Sequence, residues 1–323
     1  MKKSAYIFNN GKISRKDNTV LFESEEGKKY LPIEDISEIY IFGEVTVTKK
    51  FLEFATQKEI LLHFFNYNEY YCGTYYPREH YNSGYMILKQ AEYYMDEVKR
   101  NDIALRILKG SALNILTVLK YYKNRGKDVE AGIQDIDNLL LSLNDEQLRH
   151  KNISQAMAIE GNIRDLYYKN FDKIIEDSDF AFEKRTRQPP LNKLNSLVSF
   201  GNSVLYTIVL SEIYNTHLDP RIGFLHTTNN RRFTLNLDIA EIFKPILVDR
   251  TIFTLIGKKM LNSRHFDKKM DGIYLNDQGK KIFINELNNK LASTLSYKPL
   301  GRSVSYKRLI RLELYKLEKH IIG

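Results

Sequence analysis

Near Gly84 the hydrophobic period of this chain changes, and that change restricts the fold more than any other feature. Upstream, short runs rich in β-branched and aromatic residues alternate with polar or glycine-containing turns. Residues 4–8, 12–15, 19–23, 28–32, 36–42 and 45–48 read as strands, punctuated by Asn9-Asn10-Gly11, Glu25-Glu26-Gly27 and Gly43. One helix, 49–58, places Phe51, Leu52, Phe54 and Ala55 on one face, and strand patterns return at 61–65 and 70–75. His63 lies inside an apolar run and reads as a core histidine with a hydrogen-bond partner rather than a ligand. The stretch 76–84, with Pro77 and Gly84 and little periodicity, reads as a linker.

Downstream, apolar residues recur at helical spacing. Residues 85–125 form a long helical region, with Asn101-Asp102 as its expected break. Further helices are expected over 128–143, after an N-cap at Asp145, and over 194–214, 277–295 and 303–320. Leu194, Leu197, Val198, Gly201, Val204, Leu205 and Ile208 make the clearest stripe, and Gly201 on it points to a close helix crossing. The expected architecture is therefore α+β: a β-rich N-terminal domain, 1–83, followed by an all-helical C-terminal catalytic domain, 84–323.

Charge narrows the partners. Lys plus Arg number 49 and Asp plus Glu 40, a net charge of 49 − 40 = +9. Such a chain suits a polyanion, although a merely basic housekeeping protein has the same balance. The single cysteine, Cys72, excludes an intrachain disulfide and a cysteine-built metal site. The N-terminal MKKSAYIFNNGK lacks the apolar run of a signal peptide, and no uninterrupted apolar stretch approaches the ~20 residues of a membrane helix. A cytoplasmic protein without a membrane partner is expected.

Candidate chemistry sits in three segments. Glu160 lies mid-helix with Arg164 four residues on, a spacing that an ordinary Glu–Arg helix pair also produces. Gly161 beside it is costly in a helix, by about 1 kcal/mol relative to Ala, and suggests a close approach. His226 ends a loop that begins Leu218-Asp219-Pro220. Asp238 and Glu241 follow at i and i+3 on one side of a helix. Individually these read as a core histidine and solvated acids. Together, two or three carboxylates and one imidazole without thiols make a hard site suited to Mg²⁺ or Mn²⁺.

The motifs EGNIRDLYY (160–168), LDPRIGFLH (218–226) and LNLDIAEIFKPILVDR (235–250) resemble those of the CRISPR-associated adaptation endonuclease/integrase, the metal-dependent subunit of the spacer-acquisition complex. RTRQPPLNKLNSLVSFGNSVLY (185–206) resembles that family's basic, double-proline stretch ahead of an Asn-containing helix. The likeness is strongest over 153–250. It implies that Glu160, His226 and Glu241 are catalytic metal ligands for Mg²⁺ or Mn²⁺. Asp238 assists from behind or binds directly. Arg164, Arg185, Arg187, Arg231, Arg232 and Lys244 are the candidates for DNA backbone contact. Ile242 and Lys244 stand where many relatives carry Glu and Arg. The resemblance further implies a homodimer formed through the N-terminal domain, a smaller CRISPR-associated adaptation subunit as partner, and double-stranded DNA as substrate. Short duplexes would be inserted into the repeat array by phosphoryl transfer. The alternatives are a catalytically silent DNA-binding scaffold of the same complex and a helical RNA-binding protein, for which no RNA-recognition motif is present.

Overall fold

Short runs of β-formers and tight turns build the first strands. β1 (Lys3–Ile7), β2 (Gly11–Lys16), β3 (Thr19–Ser24), β4 (Gly27–Pro32), β5 (Ile36–Ile41) and β6 (Val45–Val47) precede helix α1 (Lys49–Gln57), then β7 (Leu61–Phe65) and β8 (Tyr71–Tyr75). They form two four-stranded sheets, ordered β4-β3-β2-β6 and β1-β5-β7-β8. β5 lies between parallel neighbours β1 and β7. It is buried almost throughout, as a central parallel strand requires. Ile13, Val20, Phe22, Ile39, Ile41 and Leu62 share one core with Phe51, Phe54 and Ala55 of α1. His63 is fully buried, its Nδ1 2.8 Å from Thr74 Oγ1 and its ring 4.9 Å from that of Tyr40. It is the satisfied core histidine expected from its apolar neighbours.

The computed structural model describes residues 3–78, 81, 83–143, 153–228 and 233–323. The chain divides into two units, Met1–Tyr81 and Asn82–Gly323. The second is mostly helical. α2 (Gly84–Met95), α3 (Glu97–Lys123), α4 (Glu130–Ser142), α5 (Ile153–Tyr168), α6 (Phe171–Ile175) and α7 (Lys193–Ile213) lead to α8 (Leu235–Lys244). A π-helical turn, Pro245–Asp249, runs directly into α9 (Arg250–Gly257). α10 (Asp277–Ala292) and α11 (Tyr306–Ile322) complete the helices.

Three details depart from the expectations. The break between α2 and α3 falls at Asp96, not at Asn101-Asp102. The Asp96 carboxylate accepts from the amides of Val98 and Lys99 at 3.0 Å each, a side-chain cap typically contributing about 1 kcal/mol, while Asn101 is buried inside α3. The second unit is not wholly helical: β9 (Phe266–Lys268) pairs with β10 (Ile273–Leu275), and β11 (Thr294–Tyr297) with β12 (Arg302–Ser305). Both are local two-stranded ribbons and leave the helical frame intact. Among the described residues nothing stands within 4 Å of a Cβ built on Gly161, so no close approach by this chain is seen there. The expected cap at Asp145 lies outside the described residues.

α7 holds the unit together. By length and composition it could span a bilayer, but most of its surface is buried inside this unit. Its Gly201 does mark a close crossing: an added Cβ would stand 2.5 Å from Val248 Cγ1 and 2.8 Å from Phe283 Cζ. α8 packs on both α3 and α7, and α5 packs on α3. The two helices carrying the candidate carboxylates are thus referenced to the same long helix.

Candidate active site

α5 presents Glu160 and Arg164 one turn apart, α8 presents Asp238, Glu241 and Lys244, and the loop from α7 to α8 carries His226. The described part of that loop has no helix or strand, so its backbone groups need side-chain partners. Gln90 of α2 supplies them: its Nε2 donates to the carbonyls of Asp219 and Ile222 at 3.2 Å each, and its Oε1 accepts from the Asp219 amide at 2.6 Å. Arg100 of α3 donates from Nε to the Phe224 carbonyl at 2.8 Å.

Asp238 fixes the end of the loop. Its carboxylate is fully buried. Oδ2 accepts from the amides of Phe224 and Leu225 at 2.5 and 2.9 Å, and Oδ1 from the amide of His226 at 2.9 Å. Oδ1 also lies 2.7 Å from His226 Nδ1. A carboxylate can only accept, so the proton sits on Nδ1 and Nε2 is the nitrogen left for ligation. Gly223 permits this convergence, because a Cβ there would stand 2.9 Å from Asp238 Oδ2 and 2.8 Å from the Thr234 backbone. Burial opposes charge on His226, but the hydrogen bond and charge of Asp238, with the charge of Glu241, outweigh it and raise its pKa above 6.5.

Arg164 joins the two helices. Its Nη2 bonds Oε2 of Glu241, and its Nε lies 3.6 Å from Oε1 of Glu160. Lys244 Nζ bonds the other Glu241 oxygen and sits 4.9 Å over the ring of Tyr206. Burial alone would raise the pKa of Glu241; Lys244 and Arg164 reverse that and hold it at about 2. Burial likewise opposes the charge on Lys244, yet Glu241 keeps its pKa raised.

Glu160, Glu241 and His226 therefore share one electrostatic neighbourhood, but not a closed cage. Among the described residues, no group of three His, Cys, Asp or Glu side chains is gathered as a ready-made metal site. Both oxygens of Glu241 are instead held by cationic side chains. The donor set itself suits a hard divalent ion: a partly exposed Glu160 carboxylate, a buried Glu241 carboxylate and an imidazole whose second nitrogen is anchored by a carboxylate.

The basic residues divide. Arg164 and Lys244 are buried and ion-paired rather than presented to solvent. Arg185 is half-buried: its Nη1 lies 2.9 Å from Asn195 Oδ1 and its Nη2 3.0 Å from Ser199 Oγ, and burial lowers its pKa. Arg187 is exposed. Arg231 and Arg232 lie outside the described residues. Gln90, Gly223, Asn195, Ser199 and Tyr206 were not singled out from the sequence. Gly223 lies inside the quoted LDPRIGFLH motif, and Asn195, Ser199 and Tyr206 inside the quoted 185–206 stretch, whereas Gln90 lies in no quoted motif.

A family model described as "CRISPR associated protein Cas1" matches residues 5–289, most of both units. The chain belongs to the Cas1 family. Among its relatives, a CRISPR-associated endonuclease Cas1 of Thermodesulfovibrio yellowstonii is 55% identical over 322 residues, covering 100% of this chain and 96% of that protein. The solved structure of a Cas1 protein from Thermotoga maritima superposes with a TM-score of 0.89 at 47% identity, covering 99% of this chain and 97% of the other. A casposase bound to an integration product has the same fold, with a TM-score of 0.89 at 21% identity and coverage of 99% and 90%. The strand-rich first part and mostly helical second part are those of Cas1.

Proposed function

We propose that this Cas1 chain is a divalent-metal-dependent DNA endonuclease and strand-transfer integrase of CRISPR adaptation. It inserts short duplexes into the repeat array. One observation carries the reading: Asp238 presents His226 beside Glu241, while Arg164 ties Glu241 to Glu160 from a different helix. A DNA-binding scaffold has no use for an imidazole locked in one tautomer close to a buried carboxylate that a shared arginine links to a second one.

Glu160, His226 and Glu241 would hold Mg²⁺ or Mn²⁺. Bound there, the ion would polarise the scissile phosphate and lower the pKa of an attacking water or 3′-hydroxyl. The chain's own residues set the stage. Asp238 holds the imidazole in its ligating tautomer, and Arg164 and Lys244 keep Glu241 ionised inside a buried pocket. Arg185, Arg187, Arg231 and Arg232 are assigned to backbone phosphates, which positions the duplex without reading its sequence. Two copies of the chain, meeting through the strand-rich unit, and a smaller adaptation subunit complete the assembly.

The ion pairs on both oxygens of Glu241 favour one rival, a catalytically silent scaffold of the same complex. Nicking and strand transfer by purified Glu160→Gln, His226→Ala and Glu241→Gln variants, with Mg²⁺ or Mn²⁺ present, separate the two. Loss of both activities in all three with retained duplex binding supports the integrase. Wild-type strand transfer by all three leaves the scaffold.

A further inference from the structure

Beneath Glu241 lies a second buried carboxylate that the site described above does not use. Pro245 ends the α-helical register of α8, and the Arg250 amide bonds the Pro245 carbonyl five residues back, closing one π-helical turn. That turn directs Asp249 into the interior, where it is 1% exposed. Its Oδ2 is buried and has no hydrogen-bond partner among the described residues. Tyr167 lies beside it and offers a hydrogen-bonding hydroxyl that partly offsets the burial of the acid, although neither that hydroxyl nor Oδ2 has a partner at full hydrogen-bond geometry among the described residues. On the same helix as Tyr167, Arg164 has a third unmatched group: Nη1 is buried and bonds to nothing among the described residues. An acceptor and a donor of opposite charge, both desolvated and both unmatched, therefore face one cluster. Such groups destabilise the fold while they stay unpaired.

Their pairing explains how Glu241 could be released. Resting on the metal reading above, we propose that Asp249 is a positioning residue, an alternative seat that takes the Arg164 guanidinium when Glu241 turns to a divalent cation. The exchange leaves neither cation without an anion, the charge of the incoming ion being shared by its carboxylate ligands. Glu241 loses its arginine and gains the ion, and Arg164 gains the unmatched Asp249 oxygen. Without such a seat, a buried guanidinium would be left beside the incoming cation with no anion of its own. Burial raises the Asp249 pKa to about 7, against the pull of the Arg164 and Lys244 charges, so this carboxylate gains from a formed ion pair. Arg164 suits the role better than Lys244, because its planar fork can hold one acid while reaching for another.

Two measurements test the exchange without relying on catalysis. Calorimetric titration of the wild type with Mn²⁺ is expected to show binding that Glu160→Gln removes. Asp249→Asn, nearly isosteric, is expected to weaken that binding about tenfold, as loss of an outer partner of a ligand does. Its metal-free melting temperature should stay level or rise, because a strained buried acid has been neutralised. A purely structural role would lower it instead. The second measurement is a crystal structure of the wild type with Mn²⁺, expected to show an Arg164 nitrogen within hydrogen-bond distance of Asp249 Oδ2. The proposal is overturned if Arg164 stays on Glu241 in that structure, or if Asp249→Asn binds Mn²⁺ like the wild type. Either result leaves the metal reading standing. Failure of the wild type to bind Mn²⁺ overturns both.

Discussion

His226 and Asp238 are joined twice through one oxygen: Asp238 Oδ1 accepts the His226 backbone amide at 2.9 Å and lies 2.7 Å from its Nδ1. Backbone and ring are thus aimed by the same buried carboxylate, which also accepts from Phe224 and Leu225. Asp238 need not touch a metal ion to matter for one.

Asp238→Asn tests that relationship. The amide keeps the size but must turn an NH₂ toward one of the donors. Strand transfer should fall about 10- to 100-fold, as for other partners that orient a ligating histidine. Stability should fall by roughly 1–3 kcal/mol for the unmatched buried donor. Urea unfolding and a strand-transfer assay on the same preparation check both.

The raised pKa of His226 sets a pH dependence with a definite sign. Its folded value lies above 6.5, so in metal-free protein the stability gained from pairing with Asp238 is fully present below about 6.5. That gain is lost as pH rises through the folded value. Ligation needs the neutral ring, so Mn²⁺ affinity should run the other way and climb over the same window. Melting curves and calorimetry at pH 6 to 8.5 are expected to show these opposite slopes, and both should vanish in His226→Ala.

Arg164→Met should be costly to the fold. It strips Glu241 of one of its two cations inside a buried pocket, and breaking such a pair typically costs about 3–5 kcal/mol. Glu241, held at about 2, contributes stability that is present above 4.5 and lost as pH falls toward the folded value. The variant should therefore lose less than the wild type on acidification from pH 5 to pH 3. Denaturant titrations across that range measure the difference.

Duplex affinity should depend steeply on salt, with a slope of about 0.9 per phosphate contact on a log–log plot. Replacing Arg231 and Arg232 together with Ala should flatten the slope by about two contacts' worth and leave Mn²⁺ binding unchanged. Fluorescence anisotropy at several salt concentrations reads this directly, and an unaltered slope removes the pair from the interface.

Much of the fold was legible because burial imposes simple periods. Runs of β-formers between polar or glycine-containing turns revealed β2 and β3, and the 3.6-residue stripe with Gly201 revealed α7 and its crossing. The local ribbons β9–β10 and β11–β12 were missed because three- and four-residue strands are too short to establish a period. The helix break was misplaced because Asn101 looked like a breaker in sequence, whereas Asp96 had the free amides to cap. Residue types and spacing drew attention to Glu160, His226 and Glu241. They could not show that Arg164 and Lys244 occupy Glu241, since ion pairing across 77 residues of sequence depends on how α3 positions α5 against α8.

Strand transfer is proposed to run through a divalent ion at Glu160, His226 and Glu241. The most direct measurement is strand transfer of a short duplex into repeat DNA by the wild-type assembly, before and after chelation and after Mg²⁺ or Mn²⁺ is restored. Activity should disappear with chelator, return with either ion, and never return in Glu160→Gln although that variant still binds duplex. Full activity in chelator, or full restoration of Glu160→Gln by the metal, would contradict the account.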